Sequence, residues 1–213
     1  MAAGEGRRLR PITERWPKPI LPIDGRAVIA TLVRQLEAEG LGPITIVIGH
    51  LAAKVEELLG GLDVRFVLQP QPDGSADAVR RALEGGAGLP AIVTAADTVF
   101  GPGDLARVAG AERSAGAVAY RPDPGKARLA IDDGAVTQVV SRDESLPFSS
   151  APVWLLTEEI ELAGLPGPPF ELSAAFQRAI DAGKRVAAVE IGPTRDLTHP
   201  IDLVRENFPY LGS

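Results

Sequence analysis

The chain has 213 residues, 45% of them hydrophobic and 23% charged, the balance of an ordinary globular chain long enough for one α/β domain with a sizeable core. Its net charge of −6 argues against a broad nucleic-acid-binding face, which needs excess lysine and arginine, but leaves room for a local positive pocket that takes a nucleotide. There are no cysteines, which excludes disulfides and thiolate metal sites; His50 and His199 lie too far apart in sequence to argue for zinc, and no apolar run approaches membrane-spanning length.

The chain opens on a loop. Gly4 and Gly6 flank Glu5, and Arg7 and Arg8 follow at once. Lys18 stands between Pro17 and Pro19, and the apolar residues 20–23 close into the turn Asp24-Gly25. Glycine lets a backbone approach a phosphate, because no Cβ intervenes and φ > 0 is allowed. Successive N–H groups in such a loop form an anion nest. Arginine adds a rigid fork of donors and lysine a point charge. Each feature alone reads as a turn or a solvated pair; together they suggest a triphosphate cradle. The loop is not a Walker A, which needs G-K-[ST], nor a dinucleotide fingerprint, which needs a third glycine and a preceding strand. A phosphate loop in a doubly wound fold follows a strand, and this one starts almost at Met1. The sequence therefore predicts either a start upstream of Met1, the favoured reading, or a missing central strand.

Further along, Val28, Ile29, Leu32, Val33 and Leu36 recur at helical spacing and predict a helix over residues 27–39, stopped by Gly40. Ile44–Ile48 is a β-branched run, as a buried parallel strand requires, and Gly49-His50 ends it. A short helix over Ala52–Leu59 and a strand over Val64–Leu68 follow, with Gln69 directly after. Beyond Gln69, Ser75 reads as the N-cap of the next helix and Gly74 as a close approach of backbone to ligand. Residues 90–94 predict a buried strand, and Asp97 lies just past its end, where a carboxylate can hold Mg2+ against phosphate oxygens. A helix over 103–115 and a strand over 116–120 come next. Asp132-Asp133-Gly134 then marks a hairpin between 128–131 and 135–140. A strand over 151–156 carrying Trp154, a short helix from Thr157, and a helix ending at Ala182 before Gly183 follow. The chain closes with a strand over 185–191 and a helix capped by Thr198 or His199, with Pro200 near its first position.

The first stretch resembles the signature of the sugar-phosphate nucleotidyltransferases, or NDP-sugar pyrophosphorylases. That signature is roughly G-x-G-T-R-L-x-P-L-T, then P-K-P-L-L-P, then a G-K-P-like turn. The chain has Gly4-Glu5-Gly6-Arg7-Arg8-Leu9-Arg10-Pro11-Ile12-Thr13, then Pro17-Lys18-Pro19-Ile20-Leu21-Pro22, then Asp24-Gly25-Arg26. It departs at Arg7, where the family commonly has Thr, and in the apolar strand that the family places before the loop. The resemblance implies a three-layer α/β/α Rossmann-like fold with a mostly parallel mixed sheet, forming a single nucleotidyltransferase domain over residues 1–213. It implies catalytic roles for Arg8 and Lys18, and nucleotide binding by Ala3, Gly4, Glu5, Gly6 and Arg7. A second family segment, Q-x-x-x-x-G, matches Gln69 and Gly74, whose counterparts contact the nucleobase. The family's G-D pair implies Mg2+ at Asp97, although Ala96 replaces the glycine. Its D-[TI]-[GD]-T-P-x-D-L implies a second metal ligand at Asp196. The family's E-K-P segment aligns with Ser141-Arg142-Asp143, so Arg142 is the candidate contact to the sugar phosphate, with the Glu and Pro missing.

The reaction implied is nucleotidyl transfer with Mg2+ as cofactor and with an NTP and a sugar 1-phosphate as partners. The acceptor phosphate attacks the α-phosphorus and pyrophosphate leaves, so positioning and charge neutralisation suffice and no protein nucleophile is needed. Gln69 with the run from Gly74 to Ala78 looks more like the glucose-1-phosphate enzymes of the family and leans toward a pyrimidine triphosphate, UTP or dTTP. Two other readings stand beside this one: a non-catalytic or regulatory domain of the same fold that binds nucleotide or sugar phosphate, and a transferase acting on another phosphorylated small molecule, such as a phospho-alcohol or a cofactor precursor. A cytoplasmic protein without membrane or nucleic-acid partners is the default expectation.

Overall fold

The computed structural model describes residues 1–111, 116–121, 127–208 and 210. Three single 3-10 turns, Arg7–Leu9, Ile12–Glu14 and Lys18–Ile20, precede the first regular elements. In chain order these are β1 (Pro22–Ile23), β2 (Arg26–Ala27), α1 (Val28–Ala38), β3 (Ile44–Ile48), α2 (Ala52–Leu59), β4 (Val64–Leu68), α3 (Ser75–Glu84), β5 (Ala91–Thr94) and β6 (Thr98–Val99). Then come α4 (Asp104–Ala109), β7 (Gly116–Arg121), β8 (Arg128–Asp132), β9 (Ala135–Ser141), β10 (Phe148–Leu156), α5 (Leu172–Asp181), β11 (Val186–Glu190), β12 (Arg195–Asp196) and α6 (Pro200–Asn207). They fall into two compact units, one of residues 1–72, 95–99 and 194–213, the other of residues 73–94 and 100–193.

In the first unit β3 and β4 pair in parallel from Ile44↔Val64 to Ile48↔Leu68. Ala2 bridges Ile48 in parallel, its N–H donates to the Val47 carbonyl (2.7 Å), and the Ala96 N–H donates to the Met1 carbonyl (2.9 Å). Residues 1–3 therefore deliver the loop from beside the end of β3. Small residues make this possible: Ala2 and Ala3 are buried, and Gly49 lies so close that a Cβ there would be 2.9 Å from the Ala3 carbonyl and 2.9 Å from that of Gln69. The amphipathic helix α1 buries Ile29 and Val33 against Ala2, Ile46, Ile48, Val55, Leu59 and Ala96. Each such side chain contributes about 1.5–3 kcal/mol by leaving water. A second small core joins Leu9, Leu21, Ile23, Val28 and Leu197.

The second unit is built on a six-stranded sheet of order β5-β10-β7-β11-β9-β8, with β8 also pairing to the start of β10. The α/β class is as expected. Among the described strands, however, the parallel pairs are β3–β4 and β7–β11 and the other strand pairings are antiparallel; β8–β9 is a hairpin, and β10 lies antiparallel between β5 and β7. Asp133 (φ 44°) and Gly134 (φ 66°) form the two-residue turn between β8 and β9, as the sequence predicts. Helix α5 seals the unit through Leu172, Ala175 and Phe176, all buried.

Three expected elements differ. Residues after Thr157 make one turn, closed by the Ile160 N–H on the Thr157 carbonyl, and not a helix. Helix α4 ends at Ala109 with Gly110 after it, and residues 112–115 of its expected length lie outside the described residues. Ser75 does not cap α3. Its hydroxyl accepts from the Leu172 N–H (2.7 Å), the first amide of α5, and donates to Glu171 Oε2 (2.6 Å). Helix α6 starts as expected at Pro200, with the Asp202 carboxylate accepting from the N–H groups of Thr198 (2.9 Å) and His199 (2.7 Å).

Candidate active site

Gly6 sets the shape of the first loop. It is left-handed (φ 63°, ψ 37°), and its carbonyl accepts from the Leu9 N–H (2.9 Å) and from the buried Thr13 hydroxyl (2.9 Å). The residue has little room for more: a Cβ would sit 2.9 Å from Thr13 Cγ2 and 3.2 Å from Lys18 Cβ. Gly4 is open, with nothing within 4 Å of where a Cβ would be, so its backbone faces free space. Ala3 lies behind it, its carbonyl accepting from the His50 N–H (3.2 Å). Glu5 is turned to its own loop, taking Arg7 Nε at 2.8 Å and Arg10 Nη2 at 3.1 Å. The bonded Arg7 guanidinium holds the Glu5 carboxyl below its ordinary range, and Glu5 in turn raises Arg7. Arg7 and Arg8 are both exposed on the 3-10 turn.

The proline bracket fixes Lys18. Pro17 and Pro19 are buried, and with φ preset they leave the lysine backbone few alternatives. Its ammonium, mostly buried, lies 2.5 Å from Asp97 Oδ2. Asp97 directly precedes β6, and β6 pairs antiparallel with β12, which sets Asp196 directly opposite Thr98. The two carboxylates proposed for the metal, about 100 residues apart in sequence, are thus carried by neighbouring backbone positions, Asp196 within the two-stranded ribbon and Asp97 in the turn that leads into it. Asp196 Oδ1 accepts from the Thr198 hydroxyl (2.7 Å). Gln69 is buried at the end of β4, its N–H donating to the Ile48 carbonyl (2.8 Å).

Lys18, Asp97, Asp196, Gln69 and the Gly4–Gly6 loop all belong to the first unit. Gly74 and Arg142 belong to the second. The glycine at 74 (φ 106°) is required there by packing, since a Cβ would fall 2.3 Å from the Phe170 carbonyl oxygen. Arg142 is exposed just past β9, beside an Asp143 that accepts from the Ser145 N–H (2.9 Å) and hydroxyl (2.6 Å).

His50, set aside above as a zinc ligand, and Thr13, the last residue of the first motif, brace the loop. His50 Nε2 lies 2.7 Å from the Thr13 carbonyl, which accepts, so that nitrogen carries the proton. Thr13 in turn holds Gly6, and strand β3 thereby braces the glycine loop through a side chain at its end. The pair Gly49-His50 closing a β-branched run is the sequence signal that marks the position.

The donor set suits a hard divalent cation. The two carboxylates offer oxygen ligands alone, and a cation, the Lys18 ammonium, already lies against one of them. Among the described residues no cluster of three or more metal-ligating side chains occurs. Mg2+ is ordinarily held by one or two carboxylates and completes its shell with water and substrate phosphates. Also among the described residues, no helix is long and apolar enough to cross a membrane.

Residues 1–200 match the family described as the MobA-like NTP transferase domain. The chain is 33% identical over 149 residues to CMP-5'-(3-aminopropyl)phosphonate synthase of Streptomyces rubellomurinus, which covers 66% of this chain and 24% of that protein. It is 29% identical over 186 residues to the bifunctional protein GlmU of Burkholderia mallei, covering 81% of this chain and 38% of that protein. The chain thus spans well under half the length of these curated relatives. Among solved structures, UDP-glucose pyrophosphorylase complexed with UDP-glucose superposes with a TM-score of 0.80 at 20% identity, over 99% of this chain and 96% of that one. The inositol-1-phosphate CTP transferase from T. maritima gives 0.77 at 19% identity, over 94% and 88%. At these identities the two structures share the fold with this chain.

Proposed function

The chain belongs to the family of MobA-like NTP transferase domains, and from that premise we propose that it couples a sugar 1-phosphate to a nucleoside triphosphate, with Mg2+, giving an NDP-sugar and pyrophosphate. The observation that carries this reading is the Lys18–Asp97 contact beneath the glycine loop, with Asp196 paired to Thr98, the residue after Asp97. It gathers a phosphate nest, a fixed cation and two carboxylates in one unit.

In this reading the open backbone at Gly4 and the amides up to Arg7 bind the β- and γ-phosphates, and Arg8 neutralises their charge. Glu5 keeps Arg7 and Arg10 folded onto the loop, which leaves the exposed Arg8 as the arm that reaches the leaving group. Lys18 neutralises the α-phosphate or the incoming acceptor phosphate as charge builds between them. Asp97 and Asp196 hold Mg2+, which when bound supplies charge neutralisation and in-line orientation of the phosphates. Gln69 contacts the base. Gly74 and Arg142 enter this reading on the resemblance alone, as contacts to the base and to the sugar phosphate. The acceptor is already ionised, so no residue needs to act as general base.

A second acceptor class is favoured by the names of two similar proteins, an aminopropylphosphonate synthase and an inositol-1-phosphate transferase. A phosphonate or a phosphorylated polyol offers the same attacking oxygen as a sugar 1-phosphate. The names also carry pyrimidine nucleotides: UDP is in line with the lean of the Gly74–Ala78 run toward UTP or dTTP, while CMP and CTP add cytidine to the bases to be tried. The test is pyrophosphate release with Mg2+ over a panel of triphosphates crossed with sugar 1-phosphates, inositol 1-phosphate and small phosphonates. A hit with a sugar 1-phosphate supports the first reading, and a hit only with the others moves the acceptor. Silence from folded protein that still binds a nucleotide would leave a non-catalytic binding domain.

A further inference from the structure

The turn Asp24-Gly25, which closes the lysine motif in the sequence, has no part in the chemistry above. The structure gives it one. Asp24 (φ 52°) and Gly25 (φ 71°) form the two-residue turn between β1 and β2, both with positive φ. Arg195, the residue before Asp196, reaches this turn with both terminal nitrogens: Nη1 donates to Asp24 Oδ2 (2.6 Å) and Nη2 to Asp24 Oδ1 (2.9 Å). Its Nε donates to Glu206 Oε2 (2.6 Å) on α6. The same turn is pinned to α6 by backbone: the Asp24 N–H donates to the Glu206 carbonyl (3.2 Å) and the Gly25 N–H to Asn207 Oδ1 (2.8 Å). Asn207 Nδ2 returns to the Pro22 carbonyl (2.8 Å).

Successive side chains on a strand point to opposite faces. Arg195 therefore anchors β12 from the side opposite Asp196, and the pairing Arg195↔Val99 ties the anchored strand to β6, which Asp97 directly precedes in the turn before Thr98. We propose that Arg195 is a positioning residue that clamps the β6–β12 ribbon against the Asp24-Gly25 turn and α6, and so fixes the backbone that carries Asp97 and Asp196. The clamp is a fork and two carboxylates, the geometry that guanidinium supports and an ammonium does not. The proposal rests on the reading of Asp97 and Asp196 as metal ligands.

The experiment measures binding of the Mn2+–pyrophosphate complex by water-proton relaxation. This probe is independent of base and acceptor and needs no turnover. Groups that orient metal ligands from behind cost about 10–100-fold in affinity when removed. Arg195→Met is expected to weaken binding by about tenfold or more, and Arg195→Lys to recover only part of that loss. Asp24→Asn, which removes an exposed partner and leaves the core untouched, is expected to weaken it several-fold; this variant decides the matter where Arg195→Met does not fold. Wild-type affinity in a folded Arg195→Met or in Asp24→Asn, with Asp196→Asn clearly weakened, overturns the clamp. Wild-type affinity in Asp196→Asn, or no binding by the unaltered protein, overturns the metal reading itself.

Discussion

Two loops of this chain read alike in sequence, each a glycine-bearing turn leading into a helical segment, and the structure uses the two glycines differently. At Gly6 the crowding comes from Thr13 and Lys18, side chains of the same loop, and the lysine goes on to meet Asp97. At Gly74 the crowding comes from the Phe170 backbone, which donates to the Asp73 carbonyl (2.6 Å) and accepts from the Ala76 N–H (2.8 Å). One glycine shapes a charged site; the other lets two backbones of the second unit lock together. A glycine in a loop reports a close approach, and only the neighbours say whether a ligand or the protein itself makes it.

That contrast is broken most severely at the charges. Asp97→Asn and Asp196→Asn are each expected to abolish Mg2+-dependent turnover while the melting temperature stays near that of the unaltered chain. Lys18→Met should lower kcat by about 10²–10³-fold, the usual cost of one charge-stabilising contact. Near-normal turnover in any of the three removes that residue from the site. The glycines come next and should separate. Gly74→Ala forces a Cβ to within 2.3 Å of a backbone oxygen, so it is expected to cost more than about 3 kcal/mol and to lower Tm by roughly 10 °C. Gly6→Ala should cost only about 1–2 kcal/mol of left-handed strain, yet lower kcat disproportionately by shifting Lys18. Equal Tm losses with equal kcat losses would erase the distinction. Ser75→Ala tests the second loop alone: it leaves the first amide of α5 unpaired and is expected to cost about 1 kcal/mol in urea unfolding, with KM for the triphosphate unchanged.

The smallest effect is a pH dependence at the clamp. Asp24 is bonded to Arg195 and so is held below its ordinary pKa of 3.8. A carboxylate depressed in the folded state contributes stability above its unfolded pKa and loses it as pH falls through the folded value. Wild-type protein should therefore lose slightly more Tm than Asp24→Asn between pH 6 and pH 3, by no more than about 2 °C for so exposed a pair.

The elements were largely legible because their signals are local. The β-branched Ile44–Ile48 run, the stripe along α1 and the Asp-Gly turns at Asp24-Gly25 and Asp133-Gly134 each carry their own periodicity or φ requirement. The glycine loop and Lys18 were legible as a long motif. What escaped was decided at a distance. Ser75 carries every mark of a helix cap, but its partner lies 97 residues on, in a helix whose own start lacks a side-chain cap. Arg195 has nothing around it in sequence to set it apart from a solvated arginine, since its partners are 171 and 11 residues away. Residues 1–3 show too little length for strand periodicity, and their role rests on backbone bonds to Val47 and Ala96. Thr157 marked a helix start that one turn satisfied, because nothing apolar at helical spacing follows it except Ile160.

The central claim is that Lys18, Asp97 and Asp196 serve transfer of the α-phosphoryl nucleotide to an acceptor phosphate. The most direct measurement follows α-32P-labelled CTP and UTP with Mg2+ and a mixed pool of sugar 1-phosphates, inositol 1-phosphate and phosphonates, using the unaltered chain and Asp97→Asn side by side. The account predicts label in an acceptor–nucleotide conjugate with unlabelled pyrophosphate released in equal amount, and neither product from Asp97→Asn. Label appearing in free nucleoside monophosphate alone, or transfer that proceeds equally in Asp97→Asn, would contradict it.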